Sequence, residues 1–204
     1  MSGGLLKTLA VIHWLALCLW IAAIAAAGVA AVGVFGTMGE LRLDVGAYAA
    51  FPNDANQHAM LAAGRIMERV FFMVDLAQFI AMPLLVIAAT VLAILKARGW
   101  RGAGAMIRHA CLALAVATLV YQAAAINPVM NRELRAYWAG AASGDVPGAL
   151  DHQQAFNRLH RRAEMLMNAR LALLLAALVM LAAASAPRPT QPTMLQRPLL
   201  RDRS

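Results

Sequence analysis

Charged side chains are scarce in this chain, and acids are the scarcer kind. Of 204 residues only 14% are charged, with 18 Lys or Arg against 10 Asp or Glu, while 62% are hydrophobic. A soluble domain carries about 25% charged residues, so this composition argues against an ordinary soluble fold. Cysteine is almost absent. Cys18 and Cys111 both lie inside apolar runs, which excludes a CxxC motif or a loop framework of disulfides and reads as buried apolar cysteine. Also missing are a P-loop, a Gly-x-Ser-x-Gly elbow and a His-Glu-x-x-His helix, so catalysis of the soluble type has no support. No internal repeat is visible, which removes the inverted-repeat signature of many transporters.

What is there instead is length of apolar sequence. Mean hydropathy is +0.64, and a membrane span needs about 20 mostly apolar residues. Four stretches qualify: Leu9–Phe35, Val70–Leu95, His109–Ile126 and Met165–Ala184. They predict an all-α integral membrane domain over 1–186, an up-down four-helix bundle with extended second and fourth helices and an amphipathic interfacial helix. A basic tail over 187–204, bearing Pro187, reads as disordered.

The net charge of +8 is placed to orient such a protein. Lys7 precedes the first span, Lys96, Arg98, Arg101 and Arg108 follow the second, and Arg188, Arg197, Arg201 and Arg203 fill the tail. Excess Lys and Arg marks the cytoplasmic side, which predicts an inner (plasma) membrane protein with both termini cytoplasmic. Arg65, Arg69, Arg158, Arg161 and Arg162 lie in the other connections, partly balanced by acids. The partner implied is the lipid bilayer and its anionic headgroups, not nucleic acid. A second copy or another membrane protein is the further partner considered. Lys7 and the small residues Ala22–Ala27 resemble a cleaved signal, but the apolar run to Phe35 exceeds an h-region of about 7–15 residues, so the first span is read as a retained anchor.

Local signals subdivide the chain. Ala22, Ala26 and Ala30 recur every fourth residue, as do Ala23, Ala27 and Ala31, a spacing that lets helix backbones approach in lipid. Trp14 suits the interface, whereas Trp20 lies deeper. Gly36 to Asn53 reads as a connection, with Asp54 capping a helix over Ala55–Lys96 that Pro83 kinks. Asn127-Pro128 reads as a cap closing the third span, followed by an amphipathic piece through Val129, Met130, Leu134, Tyr137 and Trp138 at headgroup level. Gly140 to Gly148 reads as loop, and Asp151 as the cap of a helix running to Ala184.

The chemistry-bearing residues form two rows. Asn157, His160, Glu164 and Asn168 follow at intervals of three, four and four, which places them on one helix face leading into the last span. Glu68 and Asp75 are seven apart on the second long helix, with Gln78 on their flank. Arg170 lies about 160° around its helix from Asn168 and about 80° from His160, within reach of Asp75 across an interface. A charge near the bilayer centre costs roughly 2.5–3.5 kcal/mol on insertion scales, so these groups need partners or a purpose.

Three readings compete. His160 and Glu164 with Glu68 or Asp75 are suitable ligands for a divalent metal, as in a metal-binding membrane enzyme or redox partner. The same carboxylates and His160 suit a proton or ion relay. The plainest reading is an Asp75–Arg170 ion pair, with Glu68 or Glu164 beside a neighbouring Arg, fixing helix register. The twelve methionines lack a repeated ligand spacing and read as core filler. His58 and His152 lie in connections and read as solvated. No catalytic residue is assigned and no cofactor is required, so the function expected is a membrane scaffold or transport-related module, with an anchor for a protein partner as a further alternative.

Trp20 in a small-residue span, Ala63-Gly64-Arg65-Ile66 before Phe71 and Phe72, the Asn127-Pro128 pair, and Phe156, Leu159, His160 and Asn168 together carry a resemblance. Over roughly Trp14 to Ala184 the chain resembles a small membrane family of unknown function related to transmembrane protein 205. Ala22 stands where that family often has glycine, and two of its prolines are missing. The resemblance implies four transmembrane helices and gives weight to Gly64 and His160; it implies no reaction.

Overall fold

The computed structural model describes residues 3–53, 56–95, 100 and 102–185, and among them every regular element is helical. Helix α1 spans Gly3–Leu41, α2 Gln57–Ile94, α3 Ala103–Tyr121, α4 Asn127–Ser143 and α5 Val146–Ser185. A π-helical turn, Gln122–Ile126, joins α3 to α4 without a break. Four helical runs are therefore long and apolar enough to cross a membrane. At about 1.5 Å per residue, the 39, 38 and 40 residues of α1, α2 and α5 reach about 57–60 Å. That is close to twice the hydrocarbon thickness of about 30 Å.

Helix α1 packs along α2, and α5 packs along both α3 and α4. The two groups share a core around Leu17, Trp20, Leu85, Leu112, Ala115 and Leu174. At the end that carries the α1–α2 and α4–α5 connections, a second core gathers Tyr48, Phe51, Leu61, Tyr137, Trp138 and Ala149. Outward faces stay apolar: Val29, Val32, Met106 and Val179 are each at least 65% exposed. Apolar side chains on both the inner and the outer faces are what a lipid-facing helix requires.

Several boundaries differ from the sequence expectation. Helix α1 continues past Gly36 and Gly39 to Leu41, because each glycine costs only about 1 kcal/mol in a helix. It stops where Arg42 takes a left-handed φ of 46°. Its last carbonyls are capped from outside: the Asn56 amide donates to Met38 and Gly39 at 3.3 and 2.8 Å. At the start of α2, the Asn53 side chain accepts from the His58 N–H at 3.0 Å. The proposed cap Asp54 lies outside the described residues, as do Lys96, Arg98, Arg101 and the tail.

Asn127-Pro128 does not end the helical run. The wide turn before it absorbs the missing N–H of Pro128 and its clash with the preceding turn, so α4 runs on from α3 and lies along α5. The expected loop over Gly140–Gly148 shrinks to a break at Gly144 and Asp145. Gly144 holds a left-handed φ of 77°, and Asp145 accepts from the Gly148 N–H at 3.1 Å. Asp145 therefore caps α5 in place of Asp151, which lies exposed inside the helix. The tight reversal brings Gly140 against Ala149, where an added Cβ would sit 3.1–3.2 Å from that residue.

Candidate functional site

Among the described residues Arg170 is the most fully buried charge, with no exposed surface. Its α5 position faces α2 and α3, and all three guanidinium nitrogens donate. NH1 reaches Gln78 Oε1 at 2.7 Å, NH2 reaches Gln122 Oε1 at 2.8 Å, and Nε reaches Thr118 Oγ1 at 3.3 Å. Trp20 of α1 donates its indole N–H to the same Gln78 oxygen at 3.0 Å. One buried cluster thus ties α1, α2, α3, the π turn and α5. A network that pairs all three guanidinium nitrogens specifies a register, since an unpaired buried guanidinium would be costly.

The expected Asp75–Arg170 pair takes an indirect form. Gln78 donates to Asp75 Oδ1 at 3.4 Å while its oxygen receives Arg170. Asn127 donates to Asp75 Oδ2 at 3.5 Å, so the residue read as a helix cap instead reaches across to α2. Gln78 is 2% exposed and Asp75 only partly covered. Sequence reading placed Asp75, Gln78 and Arg170 in the cluster and missed Trp20, Thr118, Gln122 and Asn127. The available signal was polarity within an apolar run: Gln122 and Thr118 are four apart in an otherwise apolar stretch.

The α5 row does not join this cluster. Asn157, Glu164 and Asn168 are exposed and His160 partly so. His160 stacks on Phe156 at 5.2 Å, and its Nε2 lies 3.1 Å from Glu164 Oε1. Glu68 is half-buried on α2. Among the described residues no group of three His, Cys, Asp or Glu comes close enough to hold a metal ion. The reason is rotational: Arg170 faces the α2–α3 core, and the row turns away from it.

The two connection histidines are not simply solvated. His58 is 2% exposed; its Nε2 lies 2.8 Å from the Phe51 carbonyl, and its Nδ1 lies 3.2 Å from the Val45 N–H and 2.9 Å from Asp44. It pins the α1–α2 connection. His152 on α5 meets Glu133 on α4 at 2.8 Å, and Arg132 meets the same carboxylate at 3.0 Å. The bond from His152, and then that from Arg132, hold the Glu133 carboxyl below its usual range. Nearby, the Arg65 guanidinium covers the Trp138 ring at 3.8 Å, with Gly64 beneath the same indole.

At the opposite end, buried His13 meets Trp100 edge-on at 4.7 Å, and the Arg108 guanidinium lies over that indole at 4.1 Å. Leu17, Leu85 and Leu174, all with no exposed surface, fill the core with Trp20 and its neighbours. His13 and Trp20 are seven residues apart, about 10.5 Å along α1. No family model, curated protein or solved structure matches the chain.

Proposed function

We propose that the protein is a membrane scaffold: an up-down four-helix bundle of the inner membrane, with both termini cytoplasmic and the connection end outside. The observation that carries this reading is Arg170, whose donors on all three nitrogens meet acceptors from α2, α3 and the π turn. A charge held this way acts as a fastener, because any helix displacement would leave a donor unpaired in hydrocarbon. The stalk formed by α4 and the first half of α5 then presents an amphipathic surface at and above the outer headgroups. Kinship with the transmembrane protein 205 family belongs to the same proposal.

A transport-related role has one observation in its favour. Asp75 is held only by long hydrogen bonds of 3.4 and 3.5 Å, beside a cation it does not touch. Proteoliposomes separate the two readings. The scaffold reading expects the protein to stay membrane-embedded after carbonate extraction and to leave proton and monovalent-cation flux at the level of empty vesicles. Flux above that level, lost in Asp75→Asn, would establish the relay instead.

A further inference from the structure

At the α1–α2 connection, one imidazole nitrogen has two partners that it cannot hold at once. His58, in the first turn of α2, is 2% exposed. Its Nε2 lies 2.8 Å from the Phe51 carbonyl. A carbonyl oxygen only accepts, so Nε2 carries a hydrogen and donates. That fixes what is left for Nδ1. In the neutral ring Nδ1 is a lone pair: it accepts from the Val45 N–H at 3.2 Å, but faces the Asp44 carboxylate at 2.9 Å as one acceptor faces another. In the imidazolium Nδ1 carries a hydrogen, donates to Asp44 and no longer receives Val45. The two contacts belong to two charge states of one ring.

The choice falls where the backbone is tied down. Residues 45–51 form a strap laid on α4. Gly46–Tyr48 is a 3₁₀ turn, with the Tyr48 N–H donating to the Val45 carbonyl at 2.8 Å, and Tyr48 and Phe51 pack with Tyr137 and Trp138. Phe51 stays bonded to Nε2 in both charge states, so that end is a fixed point. Val45 is held by its own N–H in one state and only through the side chain of its neighbour Asp44 in the other. Asp44 is 83% exposed, so its carboxylate is hydrated and free to follow the ring.

The other titratable groups around the strap are turned to different partners. The Tyr48 ring lies 6.2 Å from His58, and its hydroxyl accepts from Arg65 of α2 at 3.4 Å. Tyr137 of α4 meets Phe51 at 6.3 Å, and Asp145 at the α4–α5 break accepts from the Gly148 N–H. Glu40 and Arg42, at the end of α1, are exposed.

We propose that His58 is a proton-operated latch on the α1–α2 connection. Neutral, it clamps the strap at both ends, Val45 through its N–H and Phe51 through its carbonyl. Protonated, it keeps Phe51, takes Asp44 as an ion pair and lets the Val45 N–H go. The strap then pivots about Phe51 while its leading turn loosens from α2. One proton from solvent is taken up at Nδ1, and no covalent bond in the chain breaks. Histidine is the side chain whose charge changes between about pH 5 and 8, so acidification is the signal.

NMR of the full chain in detergent, labelled with ¹⁵N at histidine and valine, tests this across that window. At its alkaline end the His58 ring should show the Nε2–H tautomer, and the Val45 amide should be protected from exchange. As the ring takes up its proton, Val45 protection, corrected for the intrinsic pH dependence of exchange, should fall about fivefold, the equivalent of one ordinary hydrogen bond. Asp44→Asn, at an exposed position, should keep the fold and move both changes to lower pH, because the imidazolium loses its counter-charge. An Nδ1–H tautomer at the alkaline end, Val45 protection that does not follow the charge of the ring, or an Asp44→Asn protein that titrates like the parent would each overturn the latch.

Discussion

The Arg170 guanidinium and the Asp75 carboxylate are joined through the amide of Gln78 and do not touch. The amide oxygen accepts from Arg170 at 2.7 Å, and its nitrogen donates to Asp75 at 3.4 Å. A neutral side chain thereby carries the geometry of a pair that charge alone would draw together. Trp20 adds a third partner to the same amide, so Gln78 is where α1, α2 and α5 are held in register.

Gln78→Leu is therefore expected to cost about 1.5–3 kcal/mol, the worth of a hydrogen bond to a charged group. Exchanging Asp75→Arg with Arg170→Asp should rescue neither single change, because the two side chains do not touch and a short carboxylate at 170 cannot span to Gln78, Gln122 and Thr118 as the guanidinium does. Thermal unfolding in detergent measures both. A swapped protein restored to wild-type stability would show that direct charge pairing governs the site.

Trp20→Phe isolates the α1 bond. The ring volume is largely kept in the core, and Gln78 Oε1 still receives Arg170, so the expected loss is about 1 kcal/mol beyond the smaller ring. The Gln78→Leu and Trp20→Phe changes should be non-additive when combined, since they share one contact.

Gly140 is fixed by close approach. A Cβ there would lie 3.1–3.2 Å from Cβ, Cα and N of Ala149, two of them backbone atoms. Gly140→Ala should lower stability by about 1–3 kcal/mol through overpacking of the α4–α5 reversal. Gly28→Ala, which meets open space, should leave stability unchanged or slightly higher, because alanine is the better helix former. Melting curves of the two variants side by side check this.

Glu133 gives the stalk a pH dependence of known sign. Its carboxyl titrates lower folded than unfolded, chiefly through His152 and then Arg132. Its contribution is thus complete above the ordinary carboxylate range and is lost as pH falls through the folded value. Glu133→Gln should flatten the acid limb of the stability profile and leave the neutral plateau lower, as read by melting temperature against pH. Arg158 and Arg162 line a groove between α4 and α5 together with Glu133.

Much of the architecture was legible because apolar runs report it directly. Lengths of hydrocarbon-compatible sequence place four helices regardless of how they pack, and Asp75, Gln78 and Arg170 announced themselves by polarity within those runs. The boundaries were less legible. Asn127 and Asp151 carry good local capping chemistry, yet a π turn carries the helix past the first, and Asp145 already caps the helix that contains the second. His58 looked like a loop histidine because nothing near it in sequence shows that Phe51, Val45 and Asp44 fold back around it.

The row Asn157, His160, Glu164 and Asn168 divides the two kinds of information. Its shared face follows from the helical repeat alone, as does the placement of Arg170 on a different one. Which face meets other helices depends on the rotation of α5 against α3 and α4, and sequence periodicity leaves that rotation free when every side of a helix is apolar. Tertiary packing decided it by turning Arg170 toward Gln78, Gln122 and Thr118, where its donors meet acceptors. The same rotation left the row facing outward.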